Sequence, residues 1–331
     1  MKFLAIGDFH YKKHMYTSQV PDLEKMLLRG AEEKVDFAIH LGDFCNDYIG
    51  SSELWDAWLN NPYGIPVYGI YGNHDLEYST MQIVNSKLSN RPVHWGSGER
   101  IGYWYTDIGN FRLIGLDVNY SLSPEGVWEH NYDDSFGPPR NNTEKYSLGP
   151  VQRAWLDEVI GDAARQGKKV LTFSHYALWD IQQPAHDSKQ VRELFHTHPG
   201  TVLASINGHL HADHFAVLDN IVYWDVNAPF MGGWKASDTF HYTDDMTYAY
   251  QTYADGNKRG SVLQVPLNTL TQASNAWFYK DPLCAIVTVT EDGYFKVEGS
   301  QSEWLYGIAP DYEFDGMKTC IEDREVYLKT R

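Results

Sequence analysis

Five short polar clusters, each set directly after an apolar run, constrain this chain more than any other feature. Gly7-Asp8-Phe9-His10 follows the run 2–6, Gly42-Asp43 follows 35–41, and Gly72-Asn73-His74-Asp75 follows 65–71. Ser174-His175 closes the run 170–173, and Gly208-His209-Leu210-His211 follows 201–206. Short apolar runs bounded by glycine read as buried strands. In open α/β sheets, sites form beyond the carboxyl ends of the strands. Carboxylate, imidazole and amide oxygen recur at those positions, so a fold that gathers the strand ends would gather all five clusters.

The remaining pattern agrees with strands and helices in alternation. Pro21 opens a helix with Leu23, Met26, Leu27 and Ala31 on one face. A second helix is expected over 150–166, with Trp155, Leu156, Val159, Ile160 and Ala163 inward, and a third over 188–196. Hairpins are expected at Gly109-Asn110, at Asp219-Asn220 and at Glu291-Asp292-Gly293. The βαβ order implies largely parallel pairing, and the hairpins make the sheets mixed. Two stretches, 119–149 and 228–280, show weak periodicity. They are expected as a long loop and an insertion lining the substrate side of a single domain spanning 1–331.

Composition narrows the partners. A formal net charge of -17 argues against a nucleic-acid polymer, whose phosphates are held by Lys and Arg. It leaves room for a small phosphorylated substrate, because bound cations are strong local positive charges. The three cysteines, Cys45, Cys284 and Cys320, form no disulfide framework or zinc-finger spacing. No stretch has the apolar length of a membrane span. Lys2 to Ile6 run straight into the first cluster, which predicts a cytoplasmic chain, or a secreted one if a leader was removed.

The clusters point to metal chemistry. Residues two apart in an extended segment face the same way, so Asp8 with His10, and His209 with His211, are expected to share an ion. Asp43, alone between clusters, is the candidate bridge of a two-cation site. Such a pair activates water and clamps phosphoryl oxygens through an in-line displacement. His74, beside a ligand, is placed to protonate the leaving oxygen, with Asp75 orienting it. Most other histidines, His40 among them, are expected to be surface or satisfied core residues. Asp213 and His214 are near enough to support the ligands.

In this order and spacing the residues resemble the calcineurin-like metallophosphoesterases: Asp-x-His, Gly-Asp, Gly-Asn-His-Asp, a lone His, and Gly-His-x-His. The match runs from residue 7 to about 211. The resemblance implies a four-layer α/β/β/α sandwich, two mixed sheets flanked by helices, with a dinuclear metal site at the carboxyl ends of the strands. One ion would be held by Asp8, His10, Asp43 and His211, and the other by Asp43, Asn73, His175 and His209. His74 would touch the phosphate as acid, with Asp75 behind it. Manganese, iron and zinc all accept such ligands.

Two features depart from the family. Tyr176-Ala177-Leu178 stands where many members carry a proline after the lone histidine, and the segment after Asp43 lacks the arginine of the protein phosphatases. The expected activity is attack of metal-bound hydroxide on a small phosphodiester or nucleotide-like substrate, or alternatively on a phosphomonoester. Tyr120, Trp128, Tyr132 and Phe136 are candidates for stacking on a flat group. A non-catalytic binding protein on this fold should have lost ligands, and all seven stand here. The run from His209 to His214 also has the spacing of zinc β-lactamases, but that reading leaves Asp8, Asp43 and Asn73 unexplained.

Overall fold

The computed structural model describes residues 1–11, 20–45, 51–76, 87–96, 102–131, 141–234, 239–242, 249–252, 258–261, 276–304, 309 and 316–329, with only the backbone described within 233–277. Two mixed sheets face each other. The first has the order β21-β20-β19-β1-β2-β3. Its strands are β1 (Lys2–Ile6), β2 (Phe37–His40), β3 (Val67–Gly69), β19 (Ala285–Val289), β20 (Tyr294–Glu298) and β21 (Arg324–Tyr327). The second has the order β12-β13-β11-β10-β6-β5-β4. Its strands are β4 (His94–Trp95), β5 (Trp104–Ile108), β6 (Phe111–Gly115), β10 (Lys169–Ser174), β11 (Val202–Asn207), β12 (His214–Leu218) and β13 (Ile221–Asp225). In each sheet the central strands run parallel, β1-β2-β3 and β6-β10-β11-β13, and antiparallel hairpins complete the edges.

The layering follows from the period of two along each strand. In β1, Phe3 and Ala5 enter the core between the sheets, where they join Phe37, Ile39, Leu113, Leu171 and Phe173. Leu4 and Ile6 point the other way, onto Leu23, Met26 and Leu27 of α1 (Val20–Glu32) and Trp55 of α2 (Ser52–Leu59). On the far side, Val170 and Val202 meet Leu156, Val159 and Ile160 of α3 (Gly149–Arg165) and Val191 and Phe195 of α4 (Ser188–Thr197). Both faces of the central strands are therefore apolar, as parallel strands require. Burying each such side chain stabilises by about 2 kcal/mol. The four layers are those the resemblance implied.

The two stretches expected to be irregular carry strands. Within 119–149, β7 (Tyr120–Leu122), β8 (Trp128–His130) and β9 (Thr143–Ser147) form a sheet of order β8-β7-β9. Within 228–280, β14 (Met231–Trp234) pairs β18 (Ala276–Phe278), and β15 (Thr239–Tyr242), β16 (Ala249–Thr252) and β17 (Lys258–Ser261) form a small antiparallel sheet. Strands of three to five residues are too short to set up a legible alternation. Conversely, β3 is shorter than the run 65–71, because Pro66 has no N–H to give to a ladder. The three predicted hairpins form where expected. Tyr132 and Phe136 lie outside the described residues. No described helix is long and apolar enough to cross a membrane.

Candidate metal centre

The carboxyl ends of β1, β2, β3, β10 and β11 converge where the two sheets meet. The His10 N–H donates to the Asp43 carbonyl (2.8 Å), and the Leu41 carbonyl accepts Nδ1–H of His175 from the opposite sheet (2.8 Å). The His209 N–H lies 3.0 Å from each Asp8 carboxylate oxygen, and the His74 N–H donates to Asp43 Oδ1 (2.7 Å). These bonds tie the clusters to one another before any cation is considered.

The side chains meet in two groups. Asp8, His10 and His211 offer ligand atoms that all lie within 4.8 Å of one another, as do those of Asp43, His175 and His209. In the first group, His10 Nε2 and His211 Nε2 are 3.0 Å apart, and Asp8 Oδ2 is 3.3 Å from His211 Nε2 and 4.0 Å from His10 Nε2. Asp43 joins the groups: its Oδ2 is 3.7 Å from His10 Nε2 and 3.2 Å from His175 Nε2. Asp8, His10, Asp43, His175 and His211 are all at most 3% exposed. Asn73, His74 and His209 are half-buried on the open side. His74 also offers a ring nitrogen close to Asp43 and His10.

The electrostatics fit a cation. Burial lowers the His10 pKa to about 3, and burial with the neighbouring His175 lowers that of His209 to about 3. Both rings are therefore neutral donors. For His175, burial opposes charge, but Asp43 and Asp8 outweigh it and push the pKa up to about 10. A divalent ion there would take the place of that proton. Burial alone would raise Asp8 and Asp43, yet the surrounding imidazoles hold both below the ordinary carboxylate range. Two carboxylates and several imidazoles whose lone pairs converge are a donor set for borderline divalent ions.

The backbone departs from the extended reading of the sequence. His10 (φ 50), Asp43 (φ 46), His209 (φ 79) and His211 (φ 52) all occupy the left-handed region. The clusters are thus sharp turns, and Asp8 with His10 converge by turning, not by strand spacing. Each such residue costs roughly 1–3 kcal/mol. A glycine also has to be where it is: a Cβ on Gly72 would stand 2.0 Å from Asp43 Oδ1 and 2.3 Å from Asp43 N.

Other expected roles take a different form. Asp75 is fully buried, and its carboxylate accepts three backbone N–H groups, from Phe44 (2.8 Å), Cys45 (3.1 Å) and Gly72 (2.9 Å). It welds the Asp43 loop to the Asn73 loop. Burial and the Asp43 charge raise its pKa to about 7. Asp213 receives Trp224 Nε1–H and a two-pronged contact from Arg324, and so ties β13 and the carboxyl-terminal segment behind His211. His40 is neither at the surface nor satisfied. It is fully buried against Phe44, Trp55 and Trp58, and neither ring nitrogen has a hydrogen-bond partner among the described residues.

Four contacts formed no pattern in the sequence. The Tyr176 hydroxyl donates to Asn73 Oδ1 (3.0 Å). The Tyr176 ring lies 3.9 Å from the His209 ring and 4.5 Å from that of Tyr146. Gln183 Oε1 lies 3.0 Å from His209 Nε2. A lone tyrosine and a loop glutamine form no pattern; only the departure from proline at 176 hinted at the first.

The calcineurin-like phosphoesterase family matches residues 1–213. Among solved structures, a dimetal phosphatase from Danio rerio superposes with a TM-score of 0.60 at 17% identity, covering 99% of this chain and 99% of that one. GAP50, the anchor in the inner membrane complex of Plasmodium, gives a TM-score of 0.48 at 10% identity, covering 100% of this chain and 89% of that one. The likeness to the phosphatase is one of fold. No curated protein matches the chain in sequence.

Proposed function

Because the chain belongs to the calcineurin-like phosphoesterase family and is a phosphoric ester hydrolase, we propose that it cleaves a small phosphodiester or nucleotide-like substrate at the carboxyl ends of its central strands. Asp8, His10, Asp43 and His211 hold one ion, and Asp43, Asn73, His175 and His209 the other. The observation that carries this is the position of Asp43 Oδ2, which lies between His10 Nε2 and His175 Nε2 and is shared by both donor groups. Manganese, iron or zinc suits the set.

Divalent ions held there would supply Lewis acidity toward phosphoryl oxygens and would lower the pKa of a bound water. The protein does the rest. Nδ1–H of His175 is fixed by the Leu41 carbonyl, which keeps Nε2 turned to Asp43. His74 is held by its own N–H on Asp43 Oδ1, with its ring 5.0 Å from that of His10. From there it gives a proton to the departing alkoxide. Asp75 acts on the loops that carry Asp43 and Asn73, so it is a positioning residue.

Support for a diester with a flat leaving group comes from the aromatic side of the cluster. Half-buried Tyr146 stacks on Tyr176, whose ring lies tilted against that of His209, and the face of a half-buried tyrosine such as Tyr146 takes a base or other planar group. Manganese-supplemented protein should release nitrophenol from bis-nitrophenyl phosphate faster than from nitrophenyl phosphate. The reverse order makes it a monoesterase, and release from neither substrate overturns the reading.

A further inference from the structure

We propose that Tyr176 and Gln183 clamp Asn73 and His209 and so set how tightly the second ion is held, with little effect on the first. The proposal rests on the ligand assignment given above. Both residues come from the segment after β10, which the Ala185 N–H closes onto the Ala177 carbonyl (2.8 Å). Asp187 anchors that segment by accepting the Leu148 and Gly149 N–H groups at the start of α3.

Each contact fixes a choice that a ligand could otherwise make wrongly. An asparagine amide has an oxygen on one side and an NH2 on the other. Only the oxygen can bind a cation. The Tyr176 hydroxyl donates to Asn73 Oδ1 (3.0 Å), which holds the amide in one orientation and leaves a second lone pair on that oxygen. A histidine likewise has two nitrogens. The Gln183 amide oxygen is an acceptor, 3.0 Å from His209 Nε2, so it holds the proton at Nε2 and leaves the Nδ1 lone pair for the metal. The Tyr176 ring, backed by Tyr146, covers the face of the same imidazole. Neither side chain touches the first ion's own ligands: Asp8 is held by the backbone N–H of His209, and the shared Asp43 by the backbone N–H of His74.

The two ion positions also differ in burial. His10 and His211 are at most 3% exposed, and so are Asp8 and the shared Asp43; at the second position His175 is fully buried, but Asn73 and His209 are half-buried and Gln183 is exposed. The second position is the more open one, and its ligands gain most from an added brace.

The test is titration of manganese into chelator-stripped protein by calorimetry, with paramagnetic resonance reporting whether ions sit singly or as a coupled pair. Wild type should bind two ions. Tyr176→Phe keeps the ring and loses the hydroxyl, and Gln183→Ala alters only an exposed side chain. Each should weaken the second ion about tenfold, within the range typical of groups that orient ligands, and leave the first within about twofold. Gln183→Glu restores an acceptor and should recover most of the loss. If both single variants bind two ions with unchanged constants, the clamp is overturned and the ligand assignment stands. If wild type binds fewer than two ions, the ligand assignment itself fails, and the clamp with it.

Discussion

The edge where the central strands begin and the edge where they end are built by opposite rules. At their amino ends the hairpins turn on residues that local chemistry favours: Gly109 (φ 58), the pair Asp219 (φ 50) and Asn220 (φ 65), and Gly293 (φ 93). Glycine, asparagine and aspartate tolerate the left-handed region. At the carboxyl ends the same backbone region is occupied by His10, His209 and His211, as well as by Asp43. Aspartate and histidine enter that region more readily than most residues, but still at a cost that glycine does not bear. The apolar layers on both faces of the strands force those turns, and the cost is borne where the ligands need to converge. One end therefore reports how the chain folds, and the other what it does.

The largest expected effect sets a glycine at each end against the other. Gly72→Ala puts a methyl 2.0 Å from Asp43 Oδ1, so the shared carboxylate has to move. Ion binding at both positions should fail in a manganese titration, and hydrolysis with it. Gly109→Ala meets nothing within 4 Å and should cost only about 1 kcal/mol of stability by denaturant unfolding, from its backbone conformation. Activity should be unchanged. Equal effects of the two changes on activity would erase the distinction between the ends.

Next in size is His74→Asn. The backbone N–H to Asp43 Oδ1 survives the change, so metal content by elemental analysis should hold while kcat falls about a hundredfold, as for loss of a general acid. Lost metal would instead make His74 a ligand, which its nearness to Asp43 and His10 permits geometrically.

Much of the site was legible in the sequence because its residues come in runs tied to strand ends. Asp8, His10, Asp43, His175, His209 and His211 are brought together in the place that strand-end logic assigns. The logic was right about convergence and wrong about its cause, since spacing in an extended chain says nothing of a left-handed turn. What escaped has no period. Gln183 and Tyr176 act through single contacts across the fold, and β7 to β9 and β14 to β18 are short. In the sequence, Asp75 stands beside His74 and so looks like a partner for that imidazole. Only the structure shows its three backbone N–H donors, because the Phe44 and Cys45 amides that meet it lie some thirty residues back in the chain.

His40 sharpens the contrast from within the core. It sits at the end of β2, three residues before Asp43, yet its ring takes no hydrogen bond from the described residues. Burial lowers its pKa to about 3, against 6.5 in an unfolded chain. Between those values the unfolded state carries the extra proton, so stability rises with pH through that window and falls on acidification. Between pH 7 and 5 the loss from this residue is about 2 kcal/mol. His40→Leu should flatten that part of the acid branch in urea-unfolding curves. An unchanged slope would mean that the ring acquires a proton in the folded state.

The smallest effect is expected where the hairpin chemistry is already near its optimum. Asp219 and Asn220 both have positive φ, the backbone of a type I′ turn, and asparagine suits the first of these positions as well as aspartate does. Asp219→Asn also removes an ion pair with His196 (3.2 Å), whose members are 65% and 47% exposed, and pairs that open to water contribute little. The stability change should stay within about 0.5 kcal/mol, and the ion constants should not move. A shift in the second ion's constant would mean that a turn at the amino end of β13 is coupled through the strands to the loop carrying His209. The two ends would then be one mechanical unit, and the division drawn between them would fail.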